Sequence, residues 1–452
     1  MEMEKKYKPK KKKSLFILTL LLSSSILILS PIAVSEIPDY DVNNDGSCSI
    51  LDIVLIANHL GATGDPGWIR EDVDNNGNVD LNDIVIVSNH YGTSGWSDDV
   101  NRIMKLSIAY SGAMGLTNNR NYILEHFDIL DCPQYYTTQT AAMKQTNPNL
   151  KIFGYYDSIM EGTDFNDWEY VNQHEDWFLH DINGNRVQPL NYPTNYMMNP
   201  NSGWSNYYAQ QCQQFLTNNP QYDGIFSDDV ITDLQELGLA FTVPYSQIPA
   251  SVFTNWETWM QQHVNRAKSA IGSDILMPNA WKYTQYCEET TNVHFWEGFI
   301  HNRDKAYNDN HYSIEMIQYA IDKLHTQAEL GNIIATNSGC SNANAHPTEA
   351  KRWALFCYAC FAFATVDVTK AYFSWQFFND DTSHGWYPEM DIVLGQPLAD
   401  YSKIANPHIY GREFTNYYVI ANFDYLNSPN VTFMFNGISY TISPRTALFI
   451  EK

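Results

Sequence analysis

The stretch Tyr222-Asp223-Gly224-Ile225-Phe226-Ser227-Asp228-Asp229-Val230 organises the reading of the whole chain. An Asp-Gly pair opens it, an apolar run follows, and two adjacent carboxylates close it. That pattern suits a buried parallel strand delivering acids at its C-terminal end, the end that carries the chemistry in βα barrels. Asp223, five residues back at ~3.3 Å each, belongs about 16 Å away at the opposite, structural face. Successive side chains of an extended strand point to opposite sides, so at most one of Asp228 and Asp229 should face the barrel axis squarely.

Outward from this stretch, strand and helix patterns alternate from Arg102 on. Candidate strands are Met104–Tyr110, Phe127–Asp131, Leu150–Tyr156, Gly224–Asp228, Ile275–Met277, Val293–Phe295, Asn332–Thr336 and Thr365–Phe373. The clearest helices are Trp204–Leu216, Trp256–Ala270 and Tyr312–Leu330. Eight strands in βα order predict an α/β fold, a (β/α)8 TIM barrel over 102–404. The remaining 405–452 alternates as Phe414–Phe423, Val431–Phe435, Ile438–Ile442 and Ala447–Ile450, with an Asn436-Gly437 turn, and predicts a small C-terminal β-sandwich.

Site residues should lie where barrel strands end. Tyr155, Tyr156 and Asp157 follow the third strand, and Asp228 and Asp229 the fourth. Asn279 and Trp281 follow the fifth, Trp296 and Glu297 the sixth, Asn337 the seventh and Trp375 the eighth. Asp, Asn and Ser at such positions also serve as helix N-caps, which suits Asn337 and Ser338. Carboxylates on both the fourth and sixth strands suit glycoside hydrolysis, where one acid protonates the leaving oxygen and the other acts as nucleophile or base. Glu297, flanked by Phe295, Trp296 and Phe299, fits the protonated role, and Asp228 the ionised one. No H-E-x-x-H or G-x-S-x-G occurs, which argues against another extracellular hydrolase such as a peptidase.

The chain of 452 residues carries a formal charge of -24. Without the basic leader, 20 basic and 49 acidic residues remain, about -29. Such a surface repels phosphate backbones and excludes nucleic acid as an expected partner. Lys5 to Lys13 form a basic region, Leu15–Leu29 an apolar one, and Ala33-Val34-Ser35 a small-residue cleavage site. Residues 1–35 therefore read as a signal peptide, or alternatively as a retained membrane anchor. Both place the remainder outside the cytoplasm, secreted or at the cell surface. The seven cysteines show no metal spacing, and Cys357 and Cys360 lie in the apolar run Ala354–Ala364.

An internal repeat follows. Asp41, Asn43, Asp45, Ser47, Ser49 and Asp52 recur 31 residues later as Asp72, Asp74, Asn76, Asn78, Asp80 and Asp83, with Gly46 and Gly77 at the sixth position. This is the EF-hand-like calcium-loop pattern, closed by Asp, and it predicts two bound Ca²⁺ ions. Each loop runs into one apolar helix. On these residues, 39–95 resembles a dockerin, an all-α module. The resemblance implies docking onto a cohesin domain of a scaffold or surface protein, with Ile50, Leu51, Leu81 and Asn82 at partner-choosing positions. Residues 96–101 read as a linker.

A second resemblance rests on Asp223–Asp229, the Met198-Asn199-Pro200 approach to Trp204, Glu297, Asp391–Pro397 and Gly411–Asn422. Over about 102–450 the chain resembles barrel-fold glycoside hydrolases related to the α-galactosidase and endo-polygalactosaminidase superfamily. The resemblance implies a retaining mechanism, a carbohydrate substrate, an Asp228 nucleophile and a Glu297 acid/base. The doubled acid leaves Asp229 as a competing nucleophile. The competing function is a non-catalytic carbohydrate-binding or surface-structural protein on the same scaffold.

Overall fold

A computed structural model describes residues 40–43, 48–64, 69–91, 102–108, 120–231, 233–235, 240–280, 291–310, 312–341, 343–375 and 385–452. The expected leader and linker, Asp45, Ser47 and Trp281 lie outside the described residues. The chain divides into two compact units, Met1–Asp98 and Asp99–Lys452.

In the first unit, helices α1 (Ile50–Asn58) and α2 (Leu81–Asn89) follow the two loops. Each opens with a capping box: Ser49 with Asp52, and Asp80 with Asp83. The last acid of each loop is thus also the third residue of its helix, and its carboxylate accepts the N-cap backbone N–H. Val42, Cys48, Ile56, Val73, Val79 and Val87 form the core between the helices.

The second unit is built on eight parallel strands: β1 (Met104–Ile108), β2 (Ile129–Pro133), β3 (Lys151–Asp157), β4 (Gly224–Asp228), β5 (Ile275–Pro278), β6 (Val293–Glu297), β7 (Ile333–Ser338) and β8 (Ala371–Trp375). Their order is β5-β4-β3-β2-β1-β8-β7-β6. One parallel bridge, Asn279 to Phe295, joins β5 to β6 and closes the ring. Helices α3 (Arg120–His126), α4 (Thr137–Thr146), α5 (Trp204–Asn218), α6 (Ala250–Ile271), α7 (Ile314–Glu329) and α8 (Pro347–Ala364) accompany the strands.

The two faces of the sheet bury different side chains. Leu106, Ile108, Ile129, Phe153, Phe226, Met277, Phe295, Ala335 and Tyr372 form one inner cluster. Alternate residues, such as Ile152, Ile225 and Leu276, pack outward with the helices. Two residues beyond inner-cluster members along the strands stand Asp131, Tyr155, Asp228, Asn279, Glu297, Asn337 and Ser374, so a polar tier caps the apolar one.

The expected eighth strand, Thr365–Phe373, is shorter than its composition suggests. Thr365 ends α8, and Asp367 accepts from the Thr369 backbone N–H at 3.0 Å and hydroxyl at 2.7 Å, forming a single 3-10 turn before β8. The β-branched run is overridden by this local side-chain bond. After the barrel, β9 (Ser402–Ala405), β10 (Ile409–Glu413), β11 (Tyr417–Asn422) and β14 (Ala447–Glu451) make an antiparallel sheet in the order β9-β10-β11-β14. A hairpin of β12 (Val431–Phe435) and β13 (Ile438–Ile442) packs on it through Ile409, Ile420, Phe433 and Ile442. The expected boundary at 404/405 falls inside β9. Arg412 of β10 is 5% exposed and donates to the carbonyls of Ala362, Phe363 and Thr365. It thereby adds a charged donor to the carbonyls at and just past the end of α8.

Candidate active site

β4 brings Asp228 to the inner face directly above Phe226. Asp223, at the other end of the strand, pairs with Lys144 at 2.9 Å and accepts the Ile152 backbone N–H at 2.8 Å, a structural role at the opposite barrel face. Asp229 departs from the expected alternation. The strand ends at Asp228, and Asp229 takes a left-handed φ of 54°. Extended-strand geometry therefore no longer governs its direction.

Three donors converge on Asp228. The Tyr155 hydroxyl donates to Oδ2 at 2.7 Å, and Asn279 Nδ2 and the Asp229 backbone N–H donate to Oδ1 at 2.8 and 2.9 Å. Asn279 Nδ2 also donates to Glu297 Oε2 at 2.7 Å. One amide nitrogen thus spans both carboxylates, and the two contacts together keep Asp228 Oδ1 within about 5.5 Å of Glu297 Oε2. The amide is itself held in place by backbone. The Asn279 N–H donates to the Ser227 carbonyl at 2.7 Å, and its carbonyl accepts from Val230 at 3.1 Å. Arg303 stands 3.7 Å from Glu297 Oε1.

Burial pushes the Glu297 carboxyl up to about 7, aided by the Asp228 charge and opposed by Asn279 and Arg303. Burial and Asp228 also push Asp157 up to about 8, against the backbone N–H groups of Ile159 and Met160. Asp229 is raised by burial and by the charges of Asp157, Asp228 and Glu297. Asp131 was not singled out from the sequence. It is fully buried on the inner face of β2, neither oxygen has a partner among the described residues, and burial plus Asp228 raise it strongly. Its signal was present: an acid closes the apolar candidate strand Phe127–Asp131, as Asp228 closes its own.

The remaining candidates separate by face. Asn337 is inward and donates to Ser374 Oγ at 3.0 Å, while Ser338 donates to the Phe299 carbonyl at 2.6 Å. Tyr156 points outward against Tyr208 and Phe215. Trp296 and Trp375 pack in the outer cluster, 9% and 2% exposed. In the first unit, carboxylate oxygens of Asp72, Asp74 and Asp83 all lie within 4.8 Å of one another. Asp52 accepts from the Asn43 backbone N–H at 3.1 Å, as Asp83 does from Asp74 at 3.2 Å, so the two loops share this contact. Gly77 at the sixth loop position has φ 85°, the turn that only glycine adopts freely. The donors are all oxygen and suit a hard cation such as Ca²⁺.

A parallel eight-stranded barrel with carboxylates at its inner strand ends has the architecture of TIM-barrel glycoside hydrolases. Residues 144–417, more than half of the chain, match hypothetical glycosyl hydrolase family 15 (GHL15), and the chain belongs to that family. Solved structures similar to it include the glycoside hydrolase domain of PelA from Pseudomonas aeruginosa, at 9% identity and TM-score 0.42, covering 64% of this chain and 96% of that one. An α-amylase from Geobacillus thermoleovorans is similar at 8% identity and TM-score 0.47, covering 78% and 98%. An α-galactosidase from Thermus thermophilus is similar at 10% identity and TM-score 0.40, covering 69% and 65%. No curated protein matches the chain.

Proposed function

We propose that the barrel hydrolyses glycosidic bonds of a polysaccharide or oligosaccharide with retention of configuration, Asp228 acting as nucleophile and Glu297 as acid/base. The observation that carries this reading is the Asn279 amide shared by both carboxylates. The upper limit of about 5.5 Å between their bonded oxygens is in keeping with the roughly 5–5.5 Å carboxyl separation of retaining enzymes and supports retention over the separation of about 6.5–9.5 Å at an inverting site. Glu297 protonates the glycosidic oxygen as the bond to the anomeric carbon breaks, and Asp228 attacks that carbon to form a glycosyl ester. Glu297, now ionised, takes a proton from water, which cleaves the ester and restores both groups. Three donors on Asp228 suit an ionised nucleophile, and the Tyr155 hydroxyl and the Asn279 amide orient it. Asp229 and Asp157 form a second acid pair beside it, and Asn279 and Asn337 line the same inner tier.

The N-terminal module would hold two Ca²⁺ ions, one by Asp72, Asp74, Asn76, Asn78 and Asp83, the other by Asp41, Asn43, Asp45, Ser47 and Asp52. Its helices expose Ile50, Val54, Leu81 and Val85, apolar positions suited to a cohesin partner, and this would tether a secreted enzyme to a scaffold or cell surface. The test of the chemistry is proton NMR of the first product anomer released from a glycan panel. Retention is expected; an inverted first product, or binding with no cleavage of any member, overturns the reading.

A further inference from the structure

Beside the carboxylate pair lies a cavity of about 500 Å³ between the ends of β2 and β3 and helix α5. Tyr155 and Asp157 are among its lining, and the Tyr155 hydroxyl bonds Asp228, so the cavity shares a wall with the Asp228 site. Its walls are aromatic, and two of its rings are unusually open for their size: Tyr135 is 59% exposed and Phe165 36%. Its polar lining includes Glu161, which is 3% exposed yet leaves Oε1 without a partner among the described residues. A buried polar atom left without a hydrogen bond costs about 1–3 kcal/mol, so such an atom is readily completed by a ligand. Asp164 and Asp167 stand nearby, and Asp167 already accepts the Tyr207 hydroxyl at 2.7 Å. These carboxylates are too spread to hold a single ion: among the described residues the one metal-sized acid cluster is Asp72, Asp74 and Asp83.

We propose that this cavity is a sugar-binding subsite adjoining the catalytic pair, in which Glu161 Oε1 bonds a polar group of one sugar unit and Tyr135 and Phe165 flank its ring faces. This rests on the glycoside hydrolase reading above. The acidic lining sets the order of preference: a free amine binds above a hydroxyl, and a uronate or sulfated sugar is rejected by like charge. Burial, with Asp167 and Asp157, pushes Glu161 up to about 9, so at neutral pH it donates to a hydroxyl or, on meeting an ammonium, yields its proton.

Calorimetry on the full chain carrying Asp228→Asn tests this without turnover, using neutral, amino and uronic oligosaccharides of equal length as probes. Adding Glu161→Ala should raise Kd about tenfold or more for the neutral and amino probes. Glu161→Gln should spare the neutral probe and weaken the amino one. Phe165→Ala, a change at a partly exposed ring, should weaken both without unfolding the chain. Unchanged Kd values in the Glu161→Ala and Phe165→Ala proteins, or uronic probes binding as well as neutral ones, overturn the subsite. If the native enzyme cleaves a glycan while these variants bind normally, only the subsite falls. If nothing is cleaved yet binding depends on Glu161, the catalytic reading falls and the subsite stands.

Discussion

Asp72, Asp74 and Asp83 draw three carboxylates from twelve consecutive residues, whereas Asp131, Asp157, Asp228, Asp229 and Glu297 are gathered from β2, β3, β4 and β6. Both clusters set like charges close together, and each relieves the repulsion differently. In the loop, backbone N–H groups of Asn76 and Gly77 hold Asp72 at 2.9 Å each, and those of Asp74 and Asp80 hold Asp83, keeping the oxygens converged for a cation. At the barrel rim, burial removes water, and protons take up the charge: Glu297 rises to about 7 and Asp157 to about 8. The first arrangement suits a hard ion, and under the proposed function the second serves proton transfer.

The largest expected effect separates the two. Asp228→Asn should lower kcat/KM by about 10⁴-fold or more with little change in thermal stability. Activity within tenfold of wild type would remove the rim cluster from the chemistry. Next, Glu297→Gln should cost about 10²–10⁴-fold and abolish the fall in activity as pH rises through about 7, where the wild-type acid ionises. The stability change has a definite sign. The folded-state value lies above the unfolded one, so Glu297 contributes stability at low pH and loses it as pH rises through about 7. The Gln variant should therefore melt higher than wild type at pH 8 and not at pH 4; equal melting at both would mean the group is not buried as an acid. The smallest effect belongs to the loop. Asp83→Ala should reduce bound Ca²⁺ from two ions to one by calorimetry and lower the melting temperature of the N-terminal unit by about 4–8 °C per kcal/mol lost, leaving hydrolysis of a soluble glycan unchanged. Two ions still bound would break the contrast.

The same contrast explains what could be read in advance. The loops are legible because all their ligands sit in one short window at fixed spacing. β4 is legible to the residue because an Asp-Gly start and an acidic end bracket a short apolar run. The facing of rim residues was only partly legible: Trp296 and Trp375 stand at the ends of their strands as Glu297 does, but strand parity turns them outward. Asp229 escaped the parity rule because its backbone leaves the strand, which sequence does not reveal. Asp131 escaped notice because its partner, the field of Asp228, comes from a strand nearly a hundred residues on.

The barrel is a hoop with seven laced joints and one clasp. The clasp is the Asn279–Phe295 bridge, and Asn279 is also the residue that spaces the two carboxyl groups. Closure of the ring at this joint and the spacing of the two carboxyl groups therefore rest on one residue. Under the proposed function, a glycan bound between Asp228 and Glu297 should slow amide exchange at Val230, whose N–H bonds the Asn279 carbonyl, before it slows any at β1.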